Sequence, residues 1–81
     1  MGSREGATEL VDTVLGMQNS CFGTPAFHRD EASDRDYYLM YDPDRELFRV
    51  STHHGGLASY VLYCEIEQLR STVRLLVNVT E

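Results

Sequence analysis

Lysine and tryptophan are absent from this 81-residue chain, and cysteine and proline occur only twice each. Every cation is therefore arginine: seven of them against thirteen acids, for a net charge of −6. Nucleic-acid phosphates and anionic membrane surfaces are held by clustered cations, so this balance argues against direct contact with either. A protein partner with a basic surface suits it better. The simplest source of an all-arginine complement is a GC-rich coding sequence, which carries no mechanistic information.

The other absences narrow the chemistry. Cys21 and Cys64 lie far apart and form no C-x-x-C pair, which predicts two free thiols in a reducing, cytoplasmic setting. No apolar run reaches the roughly 20 residues that span a bilayer, and no signal-peptide core follows Met1. Gly6 stands where a myristoylation signal needs Ser or Thr, and Asn78-Val79-Thr80 reads as a chance sequon. Gly55-Gly56 lacks the frame of a phosphate-binding loop. His28, His53, His54, Cys21 and Cys64 are zinc ligands by type, but their spacing closes no finger or ribbon. Cys21 and His28 sit seven residues apart around Pro25, a separation that establishes no nucleophile-base geometry. Asp42 and Asp44 are neighbouring carboxylates that turn formation explains. The expectation is a non-enzymatic protein with no catalytic residue, no cofactor and no metal.

What is present describes a small packed globule, 42% apolar and 10% aromatic, forming one domain over residues 1–81. Residues 4–19 read as an amphipathic helix, with Ala7, Leu10, Val11, Val14 and Leu15 on one face, Ser3 as N-cap, and Gly16 marking an early end. Residues 37–51 read as a hairpin turning at Asp42-Pro43-Asp44-Arg45, where Asp and Pro suit the first two positions of a type I turn. A four-residue loop there sets Tyr41 against Glu46, Leu39 against Phe48 and Tyr37 against Val50. Residues 59–80 read as a second hairpin around Gln68-Leu69-Arg70-Ser71. It faces Ile66, Cys64, Leu62 and Tyr60 with Val73, Leu75, Val77 and Val79, and pairs Glu65 with Arg74. The fold class that follows is α+β: an N-terminal amphipathic helix packed on a four-stranded antiparallel meander. The alternative is α-β-β-α-β with residues 57–70 helical.

Coverage then suggests function. One helix covers one face of such a sheet, and the other face presents Tyr38, Met40, Leu47, Val61, Tyr63 and Leu76. Soluble monomers seldom expose so large an apolar patch, so the pattern predicts an interface and a homodimer, unless residues 20–30 fold across it. A second contact surface is the polar loop 28–36, where Asp30, Glu31, Asp34 and Asp36 offer a docking place for a basic partner. The leading function is a protein-protein interaction module, a self-associating small regulator or inhibitor, or a subunit of an assembly. Two alternatives are a small ligand- or metal-binding domain using the histidine-containing loops, and an acidic mimic competing for a basic nucleic-acid-binding site.

Overall fold

The structure, a computed structural model, describes the backbone of residues 3–79 and the side chains of residues 8–78. Its elements run α1 (Ser3–Gly16), a 3-10 turn (Met17–Ser20), β1 (Ala26–Asp30), β2 (Arg35–Asp42), β3 (Leu47–His54), β4 (Leu57–Cys64), a second 3-10 turn (Ile66–Gln68) and α2 (Leu69–Val79). The fold is α+β, with an N-terminal helix and one four-stranded antiparallel sheet in the order β1-β2-β3-β4.

α1 ends at Gly16, where loss of backbone entropy makes glycine a poor helix residue. Val11 and Val14 are buried and Leu10 and Leu15 pack beside them, as their spacing requires. The proposed Ser3 cap and the Ala7 contact concern side chains outside the described residues. β2 and β3 form the expected hairpin, but Leu39 faces Val50 and Tyr41 faces Phe48, a register two residues from the expected one. The loop keeps four residues but moves one position along the chain, to 43–46: Asp42 pairs with Leu47, and Glu46 takes a left-handed conformation at φ 56° within the turn. Because side chains alternate with a period of two, an even slip leaves every residue on its expected face.

The C-terminal hairpin is not formed. Residues 57–64 are a strand, a turn follows, and 69–79 are helical, which also excludes the α-β-β-α-β alternative. Leu69, Val73, Leu76 and Val77 recur with helical spacing and are all buried, whereas Leu75 is 54% exposed. Arg74 is an exposed helix residue rather than the cross-strand partner of Glu65. The helix start is fixed by Glu65 and Gln68: the Glu65 N–H donates to Gln68 Oε1 at 3.2 Å, and the Gln68 N–H donates to the Glu65 carbonyl at 2.9 Å. The fourth strand is instead β1, which pairs with β2 from Ala26↔Leu39 to Asp30↔Arg35. Pro25 lies just before it, as proline's missing donor allows at a sheet edge.

β3 turns into β4 through Gly55 and Gly56, whose φ values of 61° and 85° match a type I′ turn that few other residues can adopt. The pairing then slips between Thr52 and His53, so that Ser59 has no opposite residue. Both helices pack on one face of the sheet, α1 against β1 and β2 and α2 against β3 and β4. That inner face supplies Tyr37, Leu39, Phe48, Val50 and Cys64 to the core, joined by Cys21 from the connecting loop. An exposed ion pair, Arg70 to Asp12 at 3.1 Å, links the two helices. Such a pair contributes at most about 1 kcal/mol, so the apolar stripes hold the helix layer together.

Two substitutions test this packing. Leu76→Ala should destabilise by about 2–5 kcal/mol and Leu75→Ala by less than about 1 kcal/mol, read by chemical denaturation; a hairpin would reverse that order. Thr52 sits in the inner face with its Oγ1 buried and unpartnered. Thr52→Val should therefore raise stability by about 1 kcal/mol, because it removes a desolvated hydroxyl without opening a cavity.

Candidate functional site

Among the described residues, no helix covers the outer face of the sheet. Alternation along β2 and β3 sends Tyr38, Met40, Leu47, Arg49, Ser51 and His53 outward, opposite the core residues between them. Phe27 of β1 faces Tyr38, and Val61 and Tyr63 of β4 face Ser51 and Arg49. Three aromatic rings cross three strands: Phe27 stacks on Tyr38 at 5.6 Å, and Tyr38 meets His53 at 4.7 Å between ring centres. Phe27 is 60% exposed, Tyr63 41% and Val61 39%, whereas Ser51 beneath them is fully buried.

Five of the six residues read from sequence as an interface thus share this face: Tyr38, Met40, Leu47, Val61 and Tyr63. Leu76 does not. It lies on α2 in the core, because the segment placed beside β4 as a strand is the helix on the opposite side. Phe27 belongs to the face and was not anticipated. The signal was its position between half-buried Ala26 and His28 in a short alternating stretch, which Pro25 and the adjacent charges obscured. The 20–30 segment does not fold across the face; its second half extends the sheet as an edge strand.

Polar groups on the face are held by neighbours. Arg49 Nη1 donates to Ser51 Oγ at a long 3.5 Å, which leaves the guanidinium with donors for other acceptors. Arg45 stands 4.8 Å above the Tyr63 ring while its Nη1 donates to Asp42 Oδ2 at 2.8 Å. Asp42 also organises the β2–β3 turn, with Oδ1 accepting the N–H groups of Asp44 at 3.0 Å and Arg45 at 3.3 Å. The Arg45 side chain, and after it the backbone donors, hold the Asp42 carboxyl below the usual carboxylate range against the opposing effect of burial.

The acidic residues of the β1–β2 hairpin are divided. Arg29 donates to both Asp34 and Asp36, and its guanidinium lowers the Asp34 pKa. Asp30 accepts from Ser33 Oγ at 2.6 Å, while Glu31 is exposed at the loop tip. The loop's own arginine therefore offsets part of the charge that was expected to attract a basic partner. The histidines are dispersed, His53 on the outer face and His54 near Asp34 at 3.8 Å. Among the described residues, no three His, Cys, Asp or Glu side chains gather at metal-binding geometry. Cys21 is buried, its thiol donates to the Gln18 carbonyl at 2.9 Å, and burial pushes its pKa up, which disfavours the nucleophilic thiolate. No described helix is long and apolar enough to cross a membrane.

The depressed pKa of Asp42 makes a signed prediction. An acid that is stronger in the folded state stabilises above its unfolded pKa, near 3.9 for Asp, and loses that contribution as pH falls through the folded value. Asp42→Asn should lower the melting temperature at pH 7, and the deficit should narrow as pH drops below about 4. A deficit independent of pH would leave only the turn hydrogen bonds to account for it.

Comparison with protein-family models, curated proteins and solved structures returns no match, so the functional reading rests on this geometry.

Proposed function

We propose that this chain is a non-enzymatic protein-interaction module that pairs with a second copy of itself through the helix-free face of its sheet. The observation that carries the reading is the contiguous outer row of Phe27, Tyr38, Met40, Leu47, Val61 and Tyr63, opposite a fully furnished core. Aromatic residues, methionine and arginine are the types enriched at interface centres, and this face combines all three around Arg49. A two-fold contact between like faces is self-complementary and closes without exposing a further patch. A regulator or assembly subunit of this kind binds through surface shape and needs no reactive group. Two buried free thiols suit a reducing, cytoplasmic setting. The runner-up readings, a ligand- or metal-binding domain and an acidic mimic, have less support because the histidines are dispersed and Arg29 offsets the acidic hairpin.

Sedimentation at micromolar concentration tests the face. Met40→Arg places an unpaired charge at its centre and should weaken association at least tenfold, equivalent to about 1.4 kcal/mol. The mass should fall by half relative to the unsubstituted protein while the circular dichroism stays the same. An unchanged mass for the folded variant overturns the reading.

A further inference from the structure

We propose that β4 is a second pairing site, whose free edge joins the β4 of another copy in antiparallel register centred on Leu62. The sheet has two edges, β1 and β4, and they differ. β1 is five residues long, follows Pro25 and carries Arg29 and Asp30, all features that blunt an edge against pairing. β4 is eight residues long, and Leu57-Ala58-Ser59-Tyr60-Val61-Leu62-Tyr63-Cys64 contains no charge and no proline. Its one interruption is the slip that leaves Ser59 unpaired, so residues 60–64 remain a regular edge. Tyr60 on this strand is 45% exposed although it faces the helix side, opposite Thr52.

Side-chain parity selects the register. Opposed residues in an antiparallel pair must share a face, so a two-fold between identical strands has to pass through a residue rather than between two. Centring on Leu62 sets that residue against its own copy, Val61 against the partner's Tyr63, and Tyr60 against the partner's Cys64. Aromatic and β-branched residues are favourable cross-strand partners, and no charge is brought opposite a like charge. Centring on Val61 instead would draw the irregular Ser59 into the ladder.

This axis runs perpendicular to the sheet, so both helix layers stay on one side and both open faces on the other. Four strands of up to eight residues make a face of about 19 by 26 Å, near 500 Å² in plan. Two such faces stacked bury about 1,000 Å², the lower end for a specific contact, whereas two edge-joined pairs stacked would bury about 2,000 Å². The edge contact stands apart from the face contact and enlarges it.

Sedimentation of the full chain, with two single variants and their double, separates the contacts. The unsubstituted protein should sediment at about four times the chain mass. Tyr60→Lys charges the edge on the helix side, away from the outer face, and should halve that mass; Met40→Arg should also halve it, and the double variant should be monomeric. Leu62→Cys should form an intermolecular disulfide under mild oxidation, since directly opposed residues lie within bridging distance. A folded Tyr60→Lys of unchanged mass, or a folded Leu62→Cys that yields no covalent dimer, overturns the edge proposal whatever Met40→Arg does. Should Tyr60→Lys fail to fold, the Leu62→Cys cross-link decides. If instead Tyr60→Lys dissociates the protein and Met40→Arg does not, the face reading fails and the edge pairing stands.

Discussion

The β2–β3 ladder is the constraint on which the other elements depend. Its seven opposed pairs, from Asp36↔His53 to Asp42↔Leu47, fix which side of the sheet each residue occupies. Tyr37, Leu39, Phe48 and Val50 then form a surface that water disfavours, and the two helices gain their stability by covering it. β1 and β4 attach to the two sides of this ladder and inherit its twist and facing. The turn is held by Asp42, whose carboxylate gathers two backbone donors and the Arg45 guanidinium, while Glu46 accepts a left-handed backbone to close the loop. Strain of this kind persists only where the surrounding contacts over-determine it.

Legibility of the sequence followed from how many periodicities each segment satisfied. Residues 37–51 satisfied one, because Tyr37-Tyr38-Leu39-Met40 and Leu47-Phe48-Arg49-Val50 alternate within strand-forming types and flank a strong turn. The loop has the expected four residues but sits one position later, with Glu46 inside it; the even slip conserved the faces, and for that reason five of the six residues read as an interface share the outer face. Residues 69–79 satisfied two. Val73, Leu75 and Val77 alternate as a strand does, and Leu69, Val73, Leu76 and Val77 recur as a helix does. Burial of Leu76 and exposure of Leu75 show which period the fold uses. Glu65-Ile66-Glu67-Gln68 held the deciding signal, an N-terminal box with glutamate in the place normally taken by Ser or Thr. β1 was hidden by the opposite problem: five residues with two charges beside a proline give too little pattern to separate a strand from coil.

The candidate site was legible to the degree that it depends on strand parity and illegible where it depends on tertiary placement. Tyr38 and Met40 point outward because Tyr37 and Leu39 point inward, which sequence alternation already states. Leu76 required knowing which side of the sheet the C-terminal segment covers, and that is settled by the chain's return over β3 and β4. Phe27 required knowing that an edge strand exists at all. The acidic hairpin, in turn, carries less free charge than its composition implies because Arg29 folds back between Asp34 and Asp36.

A two-layer fold built from so short a chain has little surplus to set against an exposed apolar face. Both helices cover one side of the sheet. An exposed outer row of aromatic and aliphatic side chains costs solubility in isolation and contributes nothing to the monomer's stability. Pairing through either the face or the β4 edge would reverse that sign, because any partner that binds the folded state alone raises its apparent stability by mass action. Folding and association then become one linked equilibrium, in which dilution both separates the copies and loosens each fold. On β4 the monomer leaves Tyr60, Val61 and Tyr63 partly exposed while Cys64 is sealed in the core. On the proposed pairing, a second copy at the edge would cover Tyr60 on the helix side and one on the open face would cover Val61 and Tyr63, with Cys64 left undisturbed in the core.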